Sequence, residues 1–495
     1  MLIKKKSSGL ITARLAIDGS RQPKATYNET YAGTSDTTNR AFILSAYIAN
    51  ATHRGCLPDL QFGDFDFPGA FLHNKLTRNM TNGYQLLAAL PKDLPGPLAG
   101  QLVEITGCCY GIKQANHEYD KDLTNLLSKA GFIPTPSDPH TFYKQCPLNP
   151  LNSLTVNLHV DDGWHVTCSP TLLKELKTLL TSRYGDIKFN DESTGVCGVR
   201  LARHADHSCT LDQGDHIRKF LHRAGMDLVP AALTPSGPDL FDPPTDTTPV
   251  DHTQFLRTNG SLVFLLPIRH DIRKEVVFLC SRNSSPTASD LTKQTRLLRY
   301  LKGCPDIGPT FSSNTSSHPH GVTIIAAADS SHACHTDGRS QTAYTIQIGN
   351  QNAPFLAHST AEPSGVALSP CEAEYIALGR CAKDVTFYRQ FAKDLGFPQN
   401  EPTVILEDNL PAINLTIAPQ ITQKSRHIAI RHHYLRWLYQ TKQIRPKHQG
   451  TNDLIPDGLT KSLPPTKFLW FRSQLLNIPK ATSTTAPIPV TNIKK

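Results

Sequence analysis

The chain has 495 residues, too many for one ordinary hydrophobic core, so two or three domains are expected. Hydrophobic residues make up 39% and charged residues 19%, which suits a soluble globular protein, and the formal charge of +9 leans toward a polyanionic partner. The 12 cysteines form no CxxC pair, which argues against a zinc ribbon, and the longest apolar run, SLVFLLPI, is too short to span a bilayer. The start, MLIKKKSSGL, has no apolar core, and reduced thiols in an intracellular compartment are expected.

In chain order, LQFGDFDFPGAFLH (60–73) places Asp66 among Phe62, Phe65, Phe67 and Phe71. An acid in so aromatic a segment is costly to bury unless it is paired or holds a metal. CYGIKQANHEYD (109–120) puts Lys113 and Gln114 after a glycine turn, where a capped strand-to-helix turn is the plain alternative. DKDLTNLLSKAGF carries Leu123, Leu126, Leu127 and Ala130 at helical spacing and closes on Gly131. SLTVNLHV alternates as a strand, then Asp161 and Asp162 sit side by side at a hairpin, followed by Gly163 and Trp164. Two adjacent carboxylates repel each other, and divalent cations between them and a substrate phosphate would relieve that repulsion. An exposed Asp-Asp-Gly turn is the competing explanation. PTLLKELKTLLTSRYG is again a helix, with Leu172, Leu176 and Leu179 on one side, so the order of elements is α+β rather than regular βαβ.

Two Pro-rich stretches follow, TPSGPDLFDPPTDTTPV (234–250) and PDIGPTFSSNTSSHPH (305–320), on either side of a helical segment. GVTIIAAADSS (321–331) reads as a buried strand ending in Asp329, and AYTIQIGN as a second strand. SPCEAEYIALGRCAKDVTFYRQFAKDLGF is a long amphipathic helix. Its Glu374 shares a side with Leu378, Cys381 and Val385, whereas Glu372 falls on the opposite, solvent side. PTVILEDNLPAI (402–413) is a strand leading to Asp408, and Asp457 follows the short strand QIRPKHQ. Helix caps and turns are the alternative role for any one of these acids. Between Asp408 and Asp453 the chain has no acid but carries Arg426, Arg431 and Arg436, with Ile430, Tyr434, Trp437 and Leu438 as an apolar stripe. That pattern predicts basic groups along the exposed side of a helix, suited to a phosphate backbone. The divisions expected are 1–233, 234–320, 321–480 and a disordered tail, 481–495.

Asp66 with AFL, then YGIKQA, then VDD resembles, in that order, the reverse transcriptase of copia-type LTR retrotransposons. TARLAIDG and YNETYAG are similar to that family's fingers, and LTPSGPDL and LLRYLKG to its connector, so the likeness runs from about residue 12 to 470. It implies a right-hand polymerase palm and fingers over 1–233, a helical connector over 234–320, and an α/β ribonuclease H-like domain with a mixed sheet over 321–480. Asp66, Asp161 and Asp162 would be the palm's metal site. Arg14, Lys113 and Gln114 would lie near the incoming nucleotide. Asp329, Glu374, Asp408 and Asp457 match the four carboxylates of a ribonuclease H, in order. The resemblance further implies two Mg2+ or Mn2+ ions per active site. The partners it implies are an RNA template, a DNA primer, RNA–DNA hybrids, deoxynucleoside triphosphates, and other Pol or Gag products, with no membrane. The compartment implied is a cytoplasmic virus-like particle, the nucleus being the alternative. The chain departs from the family at His159, where tyrosine is usual, at Asp18, where lysine is usual, and at Pro68, Gly69 and Asn116. A fragment of a longer polyprotein or an ageing copy is therefore expected. Two alternatives stay open: a nucleic-acid-binding remnant without catalysis, and a nuclease without polymerase activity.

Overall fold

The computed structural model describes residues 2–5, 11–14, 16–31, 33–94, 96–147, 152–191, 195–312, 320–350, 352–418 and 429–478. Arg426 and the tail 481–495 lie outside the described residues. The chain divides into two compact units, one of residues 1–35 and 61–193, the other of 36–60 and 194–495. Helix α1, Thr37–His53, therefore belongs to the second unit although it precedes the first unit's central strand.

The first unit is built on an antiparallel sheet. Its strands are β1 (Gln61–Asp66), β2 (Ile133–Pro134), β3 (Thr141–Gln145), β4 (Ser153–His159), β5 (Asp162–Thr167) and β6 (Lys188–Asn190), in the order β6-β1-β5-β4-β3-β2. Helices α2 (Ala115–Lys129) and α3 (Pro170–Tyr184) share one core with this sheet. Tyr119, Leu123 and Leu127 from α2 and Leu172, Leu176 and Leu180 from α3 meet Phe65, Phe67, Phe142, Leu154, Val156 and Leu158. Each such side chain contributes about 1.5–3 kcal/mol on burial. Ser169 caps α3 by accepting the Leu172 N–H, with Pro170 in the first turn, and Gly131 at φ 84 ends α2 as the spacing predicts.

The second unit is mixed. Helices α4 (His252–Val263), α5 (Arg273–Ser281) and α6 (Ala288–Gly303) share a core with a five-stranded sheet. That sheet runs β9-β8-β7-β10-β11, from β7 (Ile324–Ser331), β8 (Gln341–Ile348), β9 (Pro354–Ala361), β10 (Thr403–Glu407) and β11 (Ile444–His448). The first three are antiparallel, while β10 runs parallel to β7 and β11 parallel to β10. The chain crosses between β9 and β10 through helix α7 (Pro370–Asp394), and α8 (Ala429–Gln440), α9 (Asp457–Thr460) and α10 (Pro465–Leu475) also belong to the unit, as do helices Gly214–Arg223 and Leu410–Ile417 and a separate four-stranded sheet within 195–311. These are the mixed helices and sheets of the expected α+β class.

Residues 38–51 of α1 are all buried. Phe42 packs its ring 5.0 Å from Phe355 and 5.2 Å from Tyr388, and Asn50 donates to the His320 carbonyl at 2.8 Å. Deeper still, Arg269 is fully buried. Its Nε and Nη2 donate to the two oxygens of Asp271 at 2.9 Å each, and the Tyr300 hydroxyl donates to the same carboxylate at 2.5 Å. All 12 cysteines are free. Among the described residues, no helix is long and apolar enough to cross a membrane.

Candidate active sites

The front acids lie at one end of the first sheet. In the β1–β5 register, Asp66 stands directly opposite Asp162, and the Phe67 N–H donates to the Asp161 carbonyl at 3.3 Å. Directly opposed acids on neighbouring strands share a face and are destabilising without a counter-charge. Strands β4 and β5 close through a two-residue loop, with His159 paired to Asp162 and with Val160 and Asp161 between them. Val160 adopts φ 59. Primed hairpin turns require positive φ at the first central residue, where glycine is favoured, so a β-branched residue there is strained by about 1–3 kcal/mol. The turn is therefore Val160-Asp161 rather than Asp-Asp-Gly. Gly163 lies inside β5, where a Cβ would come within 2.1 Å of the Phe65 ring. Asp66 and Asp162 are exposed and Asp161 is half-buried. On the other side of Asp66, β6 sets Lys188 opposite it, a basic neighbour that the sequence reading missed.

The expected nucleotide-side residues are placed as follows. Arg14 ends a short strand, Ile11–Arg14. Lys113 is exposed, and its backbone N–H donates to Gln22 Oε1 at 3.0 Å. Gln114 is buried at 1% exposure: it accepts from Gln22 Nε2 at 2.8 Å and donates to the Met80 carbonyl at 3.4 Å. It also lines a cavity of about 400 Å³ with Asn28, Met80, His117 and Lys121. Asp18 caps its own turn by accepting the Ser20 N–H at 3.0 Å.

The rear acids converge far more tightly. In the parallel pairing Ala327 is level with Leu406, so Asp329 and Asp408, two residues further along each strand, emerge side by side. Glu374 comes from the first turns of α7. Ser369 accepts the Glu372 N–H at 3.2 Å, and Glu372 Oε2 in turn accepts the Leu368 N–H at 2.7 Å, so Glu372 serves the cap and Glu374 faces inward at 8% exposure. Ligand oxygens of Asp329, Glu374 and Asp408 all lie within 4.8 Å of one another. Glu374 Oε2 is buried without a hydrogen-bond partner. Crowded carboxylate oxygens with one orphaned among them suit a hard divalent cation such as Mg2+ or Mn2+.

Burial pushes the Asp329 carboxyl up to about 6, against the pull of Lys461 and the Thr460 hydroxyl. Burial and then Glu407 push Glu374 well above the carboxylate range. Glu407 is a wholly buried fifth acid, with Oε2 unpartnered and Oε1 accepting the Asn409 N–H at 3.1 Å. Its adjacency to Asp408 in the sequence was the available signal. Asp457 is 4% exposed at the start of α9, with Lys461 Nζ 2.5 Å and Lys467 Nζ 3.6 Å from its two oxygens.

The basic helix corrects one expectation. Arg436 is buried at 8% exposure and Trp437 is 52% exposed, with Leu435 and Leu438 turned inward. Counting Trp437 as core had rotated the predicted inner face by about a third of a turn, a large error at ~3.6 residues per turn. Arg431 lies in α8, and of Arg426 nothing is described.

No protein-family model matches this chain. Over 469 residues, 94% of its length, it is 27% identical to the retrovirus-related Pol polyprotein from transposon RE1 of Arabidopsis thaliana, of which it covers 30%. It is 24% identical over 473 residues to the corresponding polyprotein from transposon TNT 1-94 of Nicotiana tabacum, covering 92% of this chain and 33% of that one. The chain thus spans about a third of the length of these curated relatives. Among solved structures, the foamy viral protease-reverse transcriptase in complex with RNA/DNA hybrid aligns over 86% of this chain and 46% of that chain, at TM-score 0.43 and 11% identity. The resemblance read from the sequence is borne out: the curated relatives are retrovirus-related Pol polyproteins from transposons.

Proposed function

We propose that this chain, similar to transposon Pol polyproteins over 94% of its length, is the reverse transcriptase and ribonuclease H portion of such a polyprotein. The front unit would be palm and fingers, and the rear sheet with α7 a ribonuclease H-like nuclease. The substrates would be deoxynucleoside triphosphates on a primed RNA template at the front, and RNA–DNA hybrids at the rear. The observation that carries the reading is the gathering of Asp329, Glu374 and Asp408 within 4.8 Å from three separate elements.

Bound divalent cations would supply Lewis-acid activation of water or of a primer hydroxyl and screen the developing charge on the phosphate. The chain's own residues hold the geometry. Asp66 and Asp162 present carboxylates on adjacent strands, and the strained Val160 turn fixes where Asp161 projects. At the rear, α7 fixes Glu374 against the paired strand ends, and Thr460 holds Asp329 by donating to Oδ2 at 2.5 Å.

The test is primer extension on an RNA template beside cleavage of a labelled hybrid, with Mg2+ or Mn2+. The reading predicts both activities; their joint absence contradicts it. A nuclease-only chain is the second reading. It is favoured by one contrast: among the described residues only the rear acids gather closely enough to hold an ion unaided. Cleavage without extension would select it.

A further inference from the structure

Helix α6 carries Lys293, Arg296 and Arg299 three residues apart, within about a third of its circumference. All three reach across to the irregular chain that runs past the helix. Lys293 Nζ donates to the Leu240 and Asp242 carbonyls at 3.0 and 3.3 Å. Arg296 Nη2 donates to Thr234 Oγ1 at 2.8 Å, and Arg299 Nε to the Pro230 carbonyl at 2.8 Å. Every one of these acceptors is neutral. Among the described residues none of the three cations forms an ion pair, and the two terminal nitrogens of Arg299 have no acceptor. Clamping the chain therefore uses one nitrogen of each arginine and leaves the rest of each guanidinium to something else.

The same three side chains line a cavity of about 380 Å³ between α5, α6 and residues 235–240. That volume falls in the range of small-molecule sites, about 300–1,000 Å³. Leu240, Leu279 and Leu291 supply apolar wall, and Asp239 is an exposed acid beside them. Glu275 also lines the cavity and is only 2% exposed. Its Oε1 accepts the Ser236 hydroxyl at 2.7 Å and lies 3.5 Å from Lys274 Nζ, whereas its Oε2 is buried without a hydrogen-bond partner. Buried polar atoms are nearly always partnered, so an orphaned carboxylate oxygen calls for a donor.

We propose that this cavity binds a nucleoside monophosphate, free or at the end of a nucleic-acid strand, with the phosphate on Arg296 and Arg299, the base against the leucines, and a base N–H given to Glu275. Guanidinium forks match phosphate oxygens in pairs. A bare phosphate would leave the leucines and Glu275 without a role, and an apolar ligand would leave the arginines without one. None of the acids assigned to either centre lines this cavity, so the site stands apart from both.

The experiment is calorimetric titration of the full chain, stripped of nucleic acid, in EDTA so that the acid centres hold no metal. The probes are guanosine 5′-monophosphate, ribose 5-phosphate and guanosine. The nucleotide should bind at least about tenfold tighter than either part. Arg296→Gln and Arg299→Gln should each weaken it by about tenfold or more. Glu275→Gln should weaken the nucleotide and leave ribose 5-phosphate unchanged. Thermal transitions of all three variants are compared with the parent, and the two arginine variants guard against one of them misfolding. Oligonucleotides with a 5′-phosphate or a 5′-hydroxyl then separate the sources. If Arg299→Gln weakens only the phosphorylated strand, the ligand is a strand end; if neither strand responds while the nucleotide does, it is a free nucleotide. No nucleotide binding at about 10 mM, or binding unchanged in both arginine variants, would overturn the proposal.

Discussion

The two acid clusters solve the same electrostatic problem in opposite ways. At the front, Asp66 and Asp162 are exposed on strands, where water screens their repulsion, and the cost is placed instead in the backbone at Val160. At the rear, Asp329 and Glu374 are buried, their carboxyls are pushed up, and lysines are packed around the fourth acid. An exposed site can stay charged and open until substrate phosphates arrive. An enclosed one must carry protons or cations at all times. The difference teaches that a carboxylate's burial, more than its place in the sequence, decides what it needs to function.

Three changes test that contrast, in order of expected size. Arg269 holds the buried Asp271, whose carboxyl burial would push up but whose arginine partner keeps it low. Arg269→Met should destabilise the rear unit by about 3–5 kcal/mol, because a buried charge loses its partner. Hydrogen exchange should report lost protection in β7–β9, with β1, β4 and β5 unaffected. Equal loss in both units would break the contrast.

The second change is pH. The folded Asp329 carboxyl titrates near 6, above an ordinary carboxylate. The folded state therefore binds more protons than the unfolded state between about pH 4 and 6, so this group's contribution to stability is present below that window and is lost as pH rises through it. Metal binding runs the other way: the Asp329 proton must leave, so this group alone should weaken rear-centre affinity by about tenfold per pH unit below 6, in addition to the proton that Glu374 gives up. At the front Asp66 and Asp162 are exposed and Asp161 is only half-buried. Calorimetry of Mn2+ binding to the Asp329→Asn and Asp161→Asn variants between pH 5 and 8 separates the two, and a flat rear profile would contradict the account.

The smallest effect is at Val160. Val160→Gly removes the strain of φ 59 and should stabilise the front unit by up to about 1 kcal/mol while slowing extension. Unfolding midpoints and extension rates check it. Faster extension in the glycine variant would show that the strain is not used.

Much of this was legible in the sequence where periodicity and chemistry agreed. Glu374 and Glu372 were separated by helical geometry alone, and the structure has one facing inward and the other at the cap. The apolar run before Asp329 and the strand before Asp408 read as strands because both are β-rich and end on an acid. Helix α8 was read with its face turned, since Trp437 is large and apolar yet exposed. The partner of α1 was not readable at all: a helix whose middle, residues 41–49, is almost wholly apolar says that it is buried, not against what. Nor did the pattern show that Gly163 serves the Phe65 ring instead of a turn, because such packing depends on a strand some hundred residues away.

The most direct measurement is a crossed pair of single substitutions in the full chain, Asp161→Asn and Asp329→Asn, each assayed for primer extension and for hybrid cleavage. The account predicts that the first loses extension by of order 100-fold or more and keeps cleavage, and that the second does the reverse, the scale of a lost electrostatic stabiliser in a reaction centre. If either substitution removes both activities, or neither, the claim of two separate acid centres is contradicted.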